Sequence, residues 1–243
     1  MEQNWLTAIF NSHLAGPANS VLGIFNIKAN DPAHPWETWL VMEILVALLL
    51  MAVAALVRSN LSVERPGKLQ HTVESLVGFL ETQAQEVGIH HPGKYINWFG
   101  TLFIFILSMN LIGIIPIFES PTNSVYVPTA LAVCTWLYYH AMGLKELGPW
   151  GYLKQFFGPV LALAPIMFFI EIIGHFARML SLTVRLYGNM FAGEQITTVF
   201  IALTYVVVPT LFMGLHVFVA FLQAYVFTLL TMIYVSMAVS HEH

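Results

Sequence analysis

The residues most able to do chemistry lie in one long apolar stretch, at intervals that repeat with the period of a helix. Five polar or charged side chains are spaced 4, 3, 7 and 4 residues apart: Glu171, His175, Arg178, Arg185 and Asn189. At 3.6 residues per turn, these intervals keep all five on one helical face. Carboxylate, imidazole and guanidinium groups arranged in this way can pass a proton or another cation. The stripe therefore predicts a hydrated cavity or a polar partner beside that face.

Arg185 is the member of this stripe that packing explains least well. It has no acidic residue within four positions along the chain. Its guanidinium stays charged under all normal conditions. An ionisable group at membrane depth costs roughly 2.5 to 3.5 kcal/mol on insertion scales. We therefore expect the partner of Arg185 to come from outside the local sequence.

Simpler interpretations stay open for its neighbours. Arg178 can extend towards the membrane surface or pair with Glu171 as a structural bridge. His175 can be an ordinary packing residue. Glu171 and His175 are four apart and face the same way, but two ligands alone make a weak metal site. We expect neither a metal nor a cofactor in this chain.

A second set of polar residues occupies the last apolar run. His216 and Gln223 are seven apart and share a helical face, which Tyr234 continues eleven residues later. Glu194 follows Arg185 by nine residues, about half a turn away from the stripe. If the two runs form a hairpin, His216 meets Glu194 near the closed end, and Gln223 lies closer to Arg185. Gln223 can alternatively be interhelical glue.

The composition assigns these residues to a membrane protein. Of the 243 residues, 58% are hydrophobic and only 9% are charged. In soluble domains roughly a quarter of the residues are charged. The charged residues of this chain are too few to cover a water-exposed surface. The net charge of -4 indicates no polyanionic partner, and we expect no nucleic-acid binding. The single cysteine, Cys134, excludes an internal disulfide.

The membrane elements follow from apolar runs and their flanking charges. We predict an all-α, polytopic protein of about five spans, with an extracytoplasmic or interfacial lead-in over residues 1–38 and one helical membrane domain over 39–243. The first three spans run from Trp39 to Val57, Phe99 to Phe118 and Val125 to Leu144. An amphipathic surface helix is predicted at about 62–88. Basic residues after the first span predict an external N-terminus and a cytoplasmic C-terminus.

The last two spans form a helical hairpin at about 159–240. A single helix from Val160 to Tyr205 would be roughly 68 Å long at 1.5 Å per residue. The hydrocarbon core is only about 30 Å thick. Such a helix must be strongly tilted or broken, so the sequence predicts an oblique hairpin.

Three segments, in the expected order, resemble one known family. Residues 181–194 (SLTVRLYGNMFAGE) are similar to the signature of subunit a of F-type ATP synthases. Residues 223–234 (QAYVFTLLTMIY) resemble the last helix of that family, and residues 110–116 (NLIGIIP) resemble a motif on an earlier span. The resemblance extends over nearly the whole chain from Trp36.

The resemblance implies a stationary, non-catalytic subunit of a rotary ATP synthase in an energy-coupling membrane, such as a bacterial inner membrane. Its partners would be a ring of c subunits carrying buried carboxylates, b-type stator subunits and the rest of the complex. Two aqueous half-channels would reach the ring from opposite sides. The essential arginine of the family corresponds to Arg185. The remaining roles fall on its companion Asn189, on the inlet group Glu194, His216 and Gln223, and on Glu171 in the cytoplasmic half-channel.

Three other classes fit the sequence less well. A secondary transporter often has internal repeats, and this chain has none that we detect. An intramembrane hydrolase needs a metal motif such as His-Glu-x-x-His, or a nucleophile with its base, and neither pattern occurs. A purely structural scaffold has no need for the polar stripe from Glu171 to Asn189.

Overall fold

The protein is described by a computed structural model that covers residues 5–24, 31–62, 67–115, 118–157, 164–203 and 207–239. Within these ranges the regular structure is helical, without strands, which confirms the predicted all-α fold. The α-helices are α1 (Trp5–Ile24), α2 (Thr38–Ser59), α3 (Lys68–Glu86), α4 (Ile96–Ile112), α5 (Tyr126–Phe157), α6 (Ala164–Leu203) and α7 (Val207–Val239).

Three of these helices are long and apolar enough to cross a membrane. They are Thr38–Ser59 in α2, Ala164–Ala202 in α6 and Thr210–Val239 in α7. Helix α4 is also apolar but has only 17 residues. Only 6% of the most apolar window of α6 is buried inside the chain. Its large exposed side chains, such as Phe169 and Leu180, therefore need lipid or another subunit against them.

Helices α6 and α7 form the predicted hairpin. Arg178 contacts Tyr234, Asn189 contacts Gln223, and Phe200 stacks on Phe212, so residue numbers rise on one helix as they fall on the other. Helix α6 is continuous over 40 residues, about 60 Å at 1.5 Å per residue. That is twice the thickness of the hydrocarbon core. The oblique setting in the bilayer stays a prediction, and the ends at 158–163, 204–206 and 240–243 lie outside the described residues.

Helix α4 ends six residues before the predicted Phe118, and this boundary was wrong. The chain turns after Ile112 and brings Ser120 back against Gly113. A Cβ on Gly113 would lie 2.4 Å from the Ser120 Cβ, so only glycine permits this approach. Ser120 then donates a hydrogen bond to the Met109 carbonyl at 3.0 Å. Because the residues after Ile112 are still apolar, the sequence pattern did not mark the turn that brings Ser120 against Gly113.

Helix α5 continues thirteen residues beyond the predicted Leu144, with a kink at Gly148. Gly148 has a φ of +70°, outside the helical range, and precedes Pro149. The chain therefore changes direction at Gly148 and is helical on both sides of it. The kink returns Tyr152 to the first half of α5. A Cβ on Gly143 would lie 2.4 Å from Tyr152 Cε2, so Gly143 makes room for this ring.

The N-terminal lead-in contains a helix that the sequence did not predict. Asn11, Pro17 and Asn19 suggested interrupted structure, yet α1 runs from Trp5 to Ile24 with Pro17 inside it. Asn11 anchors α1 by accepting a hydrogen bond from the Trp36 amide at 3.0 Å and donating one to its carbonyl at 3.1 Å. The helix predicted at about 62–88 corresponds to α3; its position on the membrane surface stays a prediction, and residues 63–66 are outside the described chain.

Candidate functional site

One end of the polar stripe lines a cavity between α5, α6 and α7. The cavity has a volume of about 280 Å³ and includes Glu171, His175 and Arg178 from the stripe and Tyr234 from α7. The Glu171 side chain is 36% exposed and that of His175 only 11%. The polar groups of the cavity therefore extend from the accessible Glu171 carboxylate to the His175 imidazole between the packed helices.

The two arginines of the stripe have no acidic partner in the described part of the chain: no carboxylate there lies within 4.0 Å of either guanidinium. Arg178 Cζ instead lies 5.6 Å from the centroid of the Tyr234 ring, a cation–π contact. The structural bridge between Arg178 and Glu171 is therefore not formed. Arg185 is partly exposed, and its Nη2 donates a hydrogen bond to Ser181 Oγ at 3.4 Å.

Further along the hairpin, Asn189 meets Gln223. Asn189 Nδ2 donates to Gln223 Oε1 at 2.6 Å. Gln223 is buried, and its Nε2 has no hydrogen-bond partner among the described residues. A buried amide N–H without a partner carries a desolvation cost of about 1 to 3 kcal/mol, so this nitrogen can take up a transient hydrogen-bond partner.

The inlet residues gather near the closed end of the hairpin, although not as a direct pair. His216 is buried against Gly193, where an added Cβ would lie 3.2 Å from His216 Nε2. This Nε2 also lacks a hydrogen-bond partner in the described chain. Glu194 belongs to α6, which packs against the segment Pro121–Asn123, so its electrostatic neighbours are Asn123 and Glu119. His216 therefore meets the residue before Glu194, as the antiparallel pairing requires.

Glu119 and Asn123 are functional candidates that the sequence analysis missed. Both line a second cavity, of about 330 Å³, which also includes His34 and Glu37 from the segment between α1 and α2. The cavity connects the loop beside Glu194 with the N-terminal region. In the sequence, Glu119 marked only the end of a span before the turn residues 120–124, and nothing there indicated that this turn would lie against α6.

Helix α5 contributes a group of aromatic and imidazole side chains that the sequence did not identify either. Tyr139 Oη lies 2.8 Å from His175 Nδ1, and Tyr152 Oη lies 2.5 Å from His140 Nδ1. The rings of His140 and His175 are 4.6 Å apart between centroids. His175 is thus part of a hydrogen-bonded cluster, which goes beyond the simple packing role considered for it.

A metal site finds little support in this geometry. The described residues contain no group of three or more His, Cys, Asp or Glu side chains that could hold a metal ion. The Glu171–His175 pair is separated by 4.0 Å between Oε2 and Nε2. Two ligands do not make a closed coordination shell.

An apolar helical bundle, a long hairpin with polar side chains along its seam and two polar-lined cavities are typical of a membrane protein that conducts ions. Sequence comparisons identify the family. Residues 39–236 match the family model of the ATP synthase A chain. ATP synthase subunit a of Solibacter usitatus is 50% identical over 235 residues, which cover 97% of this chain and 100% of that protein. The subunit a of Koribacter versatilis is 45% identical over 99% of this chain and 98% of its own length. The subunit a of Geotalea uraniireducens is 41% identical over 89% of this chain and 95% of its own length. The chain belongs to the ATP synthase A chain family.

Proposed function

We propose that this chain is the stationary ion-channel subunit of a rotary ATP synthase, in which two half-channels separated by Arg185 carry protons to and from a ring of c subunits. The observation that carries the proposal is the unpaired charge of Arg185 on an apolar helix, with no carboxylate within 4.0 Å in the described chain. A membrane-buried carboxylate on a neighbouring c subunit would be the partner of the Arg185 guanidinium.

The fixed charge of Arg185 has a simple electrostatic effect on such a carboxylate. A ring carboxylate facing lipid must be neutral, because a bare charge there is expensive. Opposite Arg185 the anion is favoured by about 4 kcal/mol at 4 Å, for an effective dielectric near 20, less a desolvation penalty. The carboxylate therefore releases its proton at one point of the circle. The same charge repels protons that would pass directly between the two half-channels.

The inlet half-channel would use Glu194, His216 and Gln223, and Asn189, the companion of Arg185, is hydrogen-bonded to Gln223. The Asn189–Gln223 hydrogen bond and the unpartnered buried nitrogens of His216 and Gln223 support this assignment, because a proton path needs polar atoms that exchange partners. The cavity at Glu119 and Asn123 extends the same route towards the N-terminal region.

The cytoplasmic half-channel would be the cavity that contains Glu171. Its exposed carboxylate and more buried His175 give the graded accessibility that a water-filled path requires. Arg178 and Tyr234 line the same cavity and are secondary candidates for this path.

As a member of the ATP synthase A chain family with membrane-spanning helices, the chain is an integral membrane subunit of the ATP synthase complex. We infer that ATP is made on partner subunits and that this chain is not itself catalytic. Its proposed neighbours are the c ring and b-type stator subunits, in an energy-coupling membrane such as a bacterial inner membrane. The flanking charges favour an external N-terminus and a cytoplasmic C-terminus.

ATP-driven proton pumping in inverted membrane vesicles tests the role of Arg185. We expect Arg185→Ala to abolish pumping while the complex still assembles, because the ring carboxylate then loses the charge that discharges it. Arg185→Lys keeps a cation but allows deprotonation on burial, so it should restore only a fraction of the rate. Normal pumping by an assembled Arg185→Ala complex would exclude the proposed mechanism.

A further inference from the structure

The cluster on helix α5 adds a residue to the cytoplasmic half-channel, and this inference rests on the proposed function. We propose that Tyr139 is a positioning residue that holds the His175 ring with its Nε2 towards Glu171, so that His175 serves as the inner hydrogen-bond partner of that carboxylate.

The first step is the bond between α5 and α6. Tyr139 is fully buried, with 1% of its surface exposed, and its Oη lies 2.8 Å from His175 Nδ1. The His175 ring also lies 5.6 Å from the Tyr139 ring, nearly parallel to it at 22°. One hydrogen bond and one ring contact thus hold the imidazole, and its orientation is determined by α5 more than by its own helix.

The second step is the tautomer that this hydrogen bond allows. The Tyr139 hydroxyl and the His175 ring nitrogen can each donate or accept, and their roles follow the tautomer of the ring. When the Tyr139 hydroxyl donates to His175 Nδ1, the neutral imidazole carries its proton on Nε2, because one ring nitrogen accepts and the other donates. That tautomer presents an N–H to Glu171.

The third step is the position of Glu171. Its Oε2 lies 4.0 Å from His175 Nε2, a separation that one bridging water or a small side-chain rotation closes. The polar groups therefore form an ordered series from Tyr139 through His175 to Glu171, and Arg178 lines the same cavity. The series ends at the most exposed of these side chains on the half-channel side, where protons enter or leave.

Further contacts on α5 hold the cluster in place. The His140 ring lies 4.6 Å from that of His175, and Tyr152 holds His140 through Nδ1. Tyr152 fits only because Gly143 leaves space for its ring. The titratable and charged groups that face His175 are Tyr139, His140 and Tyr152 from α5, Glu171 and Arg178 from α6, and Tyr234 from α7.

The test is the pH dependence of ATP-driven pumping in inverted vesicles, whose outer face is cytoplasmic. Tyr139→Phe keeps the ring and removes one hydroxyl. We expect the complex to assemble, its pumping rate to fall about twofold to tenfold, as for the loss of one hydrogen bond, and the external pH profile to be displaced. The double variant Tyr139→Phe/His175→Gln should pump no worse than His175→Gln alone, because Tyr139 acts through His175.

Tyr138→Phe is the matched control. It also removes one phenol hydroxyl from α5, but the Tyr138 ring stacks on Trp98, 4.3 Å away, and does not line the cavity. Its pH profile should equal that of the unmodified complex.

An unchanged profile in assembled Tyr139→Phe, or an additive loss in the double variant, overturns the proposal. If Tyr139→Phe does not assemble, the profile of His175→Gln decides, and an unchanged profile again overturns it. Arg185→Ala, measured in parallel, separates the two ideas. Loss of pumping there with an unchanged Tyr139→Phe profile rejects only the role of Tyr139, whereas normal pumping in Arg185→Ala rejects the half-channel function itself.

Discussion

Replacement of Gln223 by leucine separates a proton-path role from a structural one. Gln223 Oε1 accepts the hydrogen bond from Asn189 Nδ2 at 2.6 Å, and the side chain is only 3% exposed. If the amide serves as interhelical glue, Gln223→Leu should destabilise the assembled complex. If it serves the proton path, stability should change little while transport falls.

The structure allows the stability change to be worked out. Loss of the Asn189 hydrogen bond removes about 0.5 to 1.5 kcal/mol of stabilisation. Asn189 is exposed and can bind water instead. The same substitution also removes the buried Gln223 Nε2, which has no partner in the described chain and whose burial costs about 1 to 3 kcal/mol. The two contributions oppose each other, about 1 kcal/mol lost against about 2 kcal/mol gained at the middle of each range, so the free energy of unfolding should change by about 1 kcal/mol.

The assay is thermal dissociation of the solubilised complex, together with ATP-driven pumping per assembled complex. We expect nearly unchanged thermal stability and a loss of pumping of up to about tenfold, the factor that corresponds to the orienting hydrogen bond. Thr228→Val is the control, since Thr228 is equally buried on α7 but donates only to Ala224 O of its own helix, at 2.9 Å. A strongly lowered dissociation temperature with normal pumping would refute this reasoning and make Gln223 a structural residue.

Two further substitutions test contacts between different helical segments. Gly193→Ala places a Cβ 3.2 Å from His216 Nε2, so His216 must shift by a few tenths of an ångström. Pumping should fall while the complex still assembles. The control is Gly100→Ala, whose Cβ meets nothing within 4 Å, and this variant should pump normally. Equal rates in both variants would contradict a role for the His216 position. The hydrogen bond from Lys94 lowers the pKa of Glu146. Stability from this pair is therefore present above the ordinary glutamate pKa and is lost as the pH falls through the lowered value. Because both side chains are partly solvent-exposed, 44% for Lys94 and 26% for Glu146, Glu146→Gln should lower stability at neutral pH by less than about 1 kcal/mol. A large loss in thermal denaturation would show that the pair is a major structural contact.

The hairpin was predictable because helical period and apolar length are local properties of the sequence. The contacts between the two helices have the antiparallel register of a hairpin. They pair Arg178 with Tyr234, Asn189 with Gln223, and Gly193 with His216. The shared face of His216, Gln223 and Tyr234 is confirmed, since each contacts α6.

What the sequence did not predict depends on contacts between distant segments. The end of α4 is determined by the close approach of Gly113 to Ser120, which no periodicity records. Likewise, Glu119 and Asn123 become candidates only because that turn brings them to α6. Tyr139 gains its importance from His175, 36 residues further along the chain. Local pattern determines each helix, and packing determines which side chains of different helices meet.

Side-specific labelling of single cysteines tests the central claim, that two aqueous paths approach Arg185 from opposite sides. The exposed Cys134 must first be replaced by serine. In that background, Glu194→Cys and Glu171→Cys are treated with a membrane-impermeant thiol reagent from one side of the membrane at a time. The account predicts that Glu194→Cys reacts only from the extracytoplasmic side and Glu171→Cys only from the cytoplasmic side. Reaction of both from the same side, or of either from both sides, would contradict it.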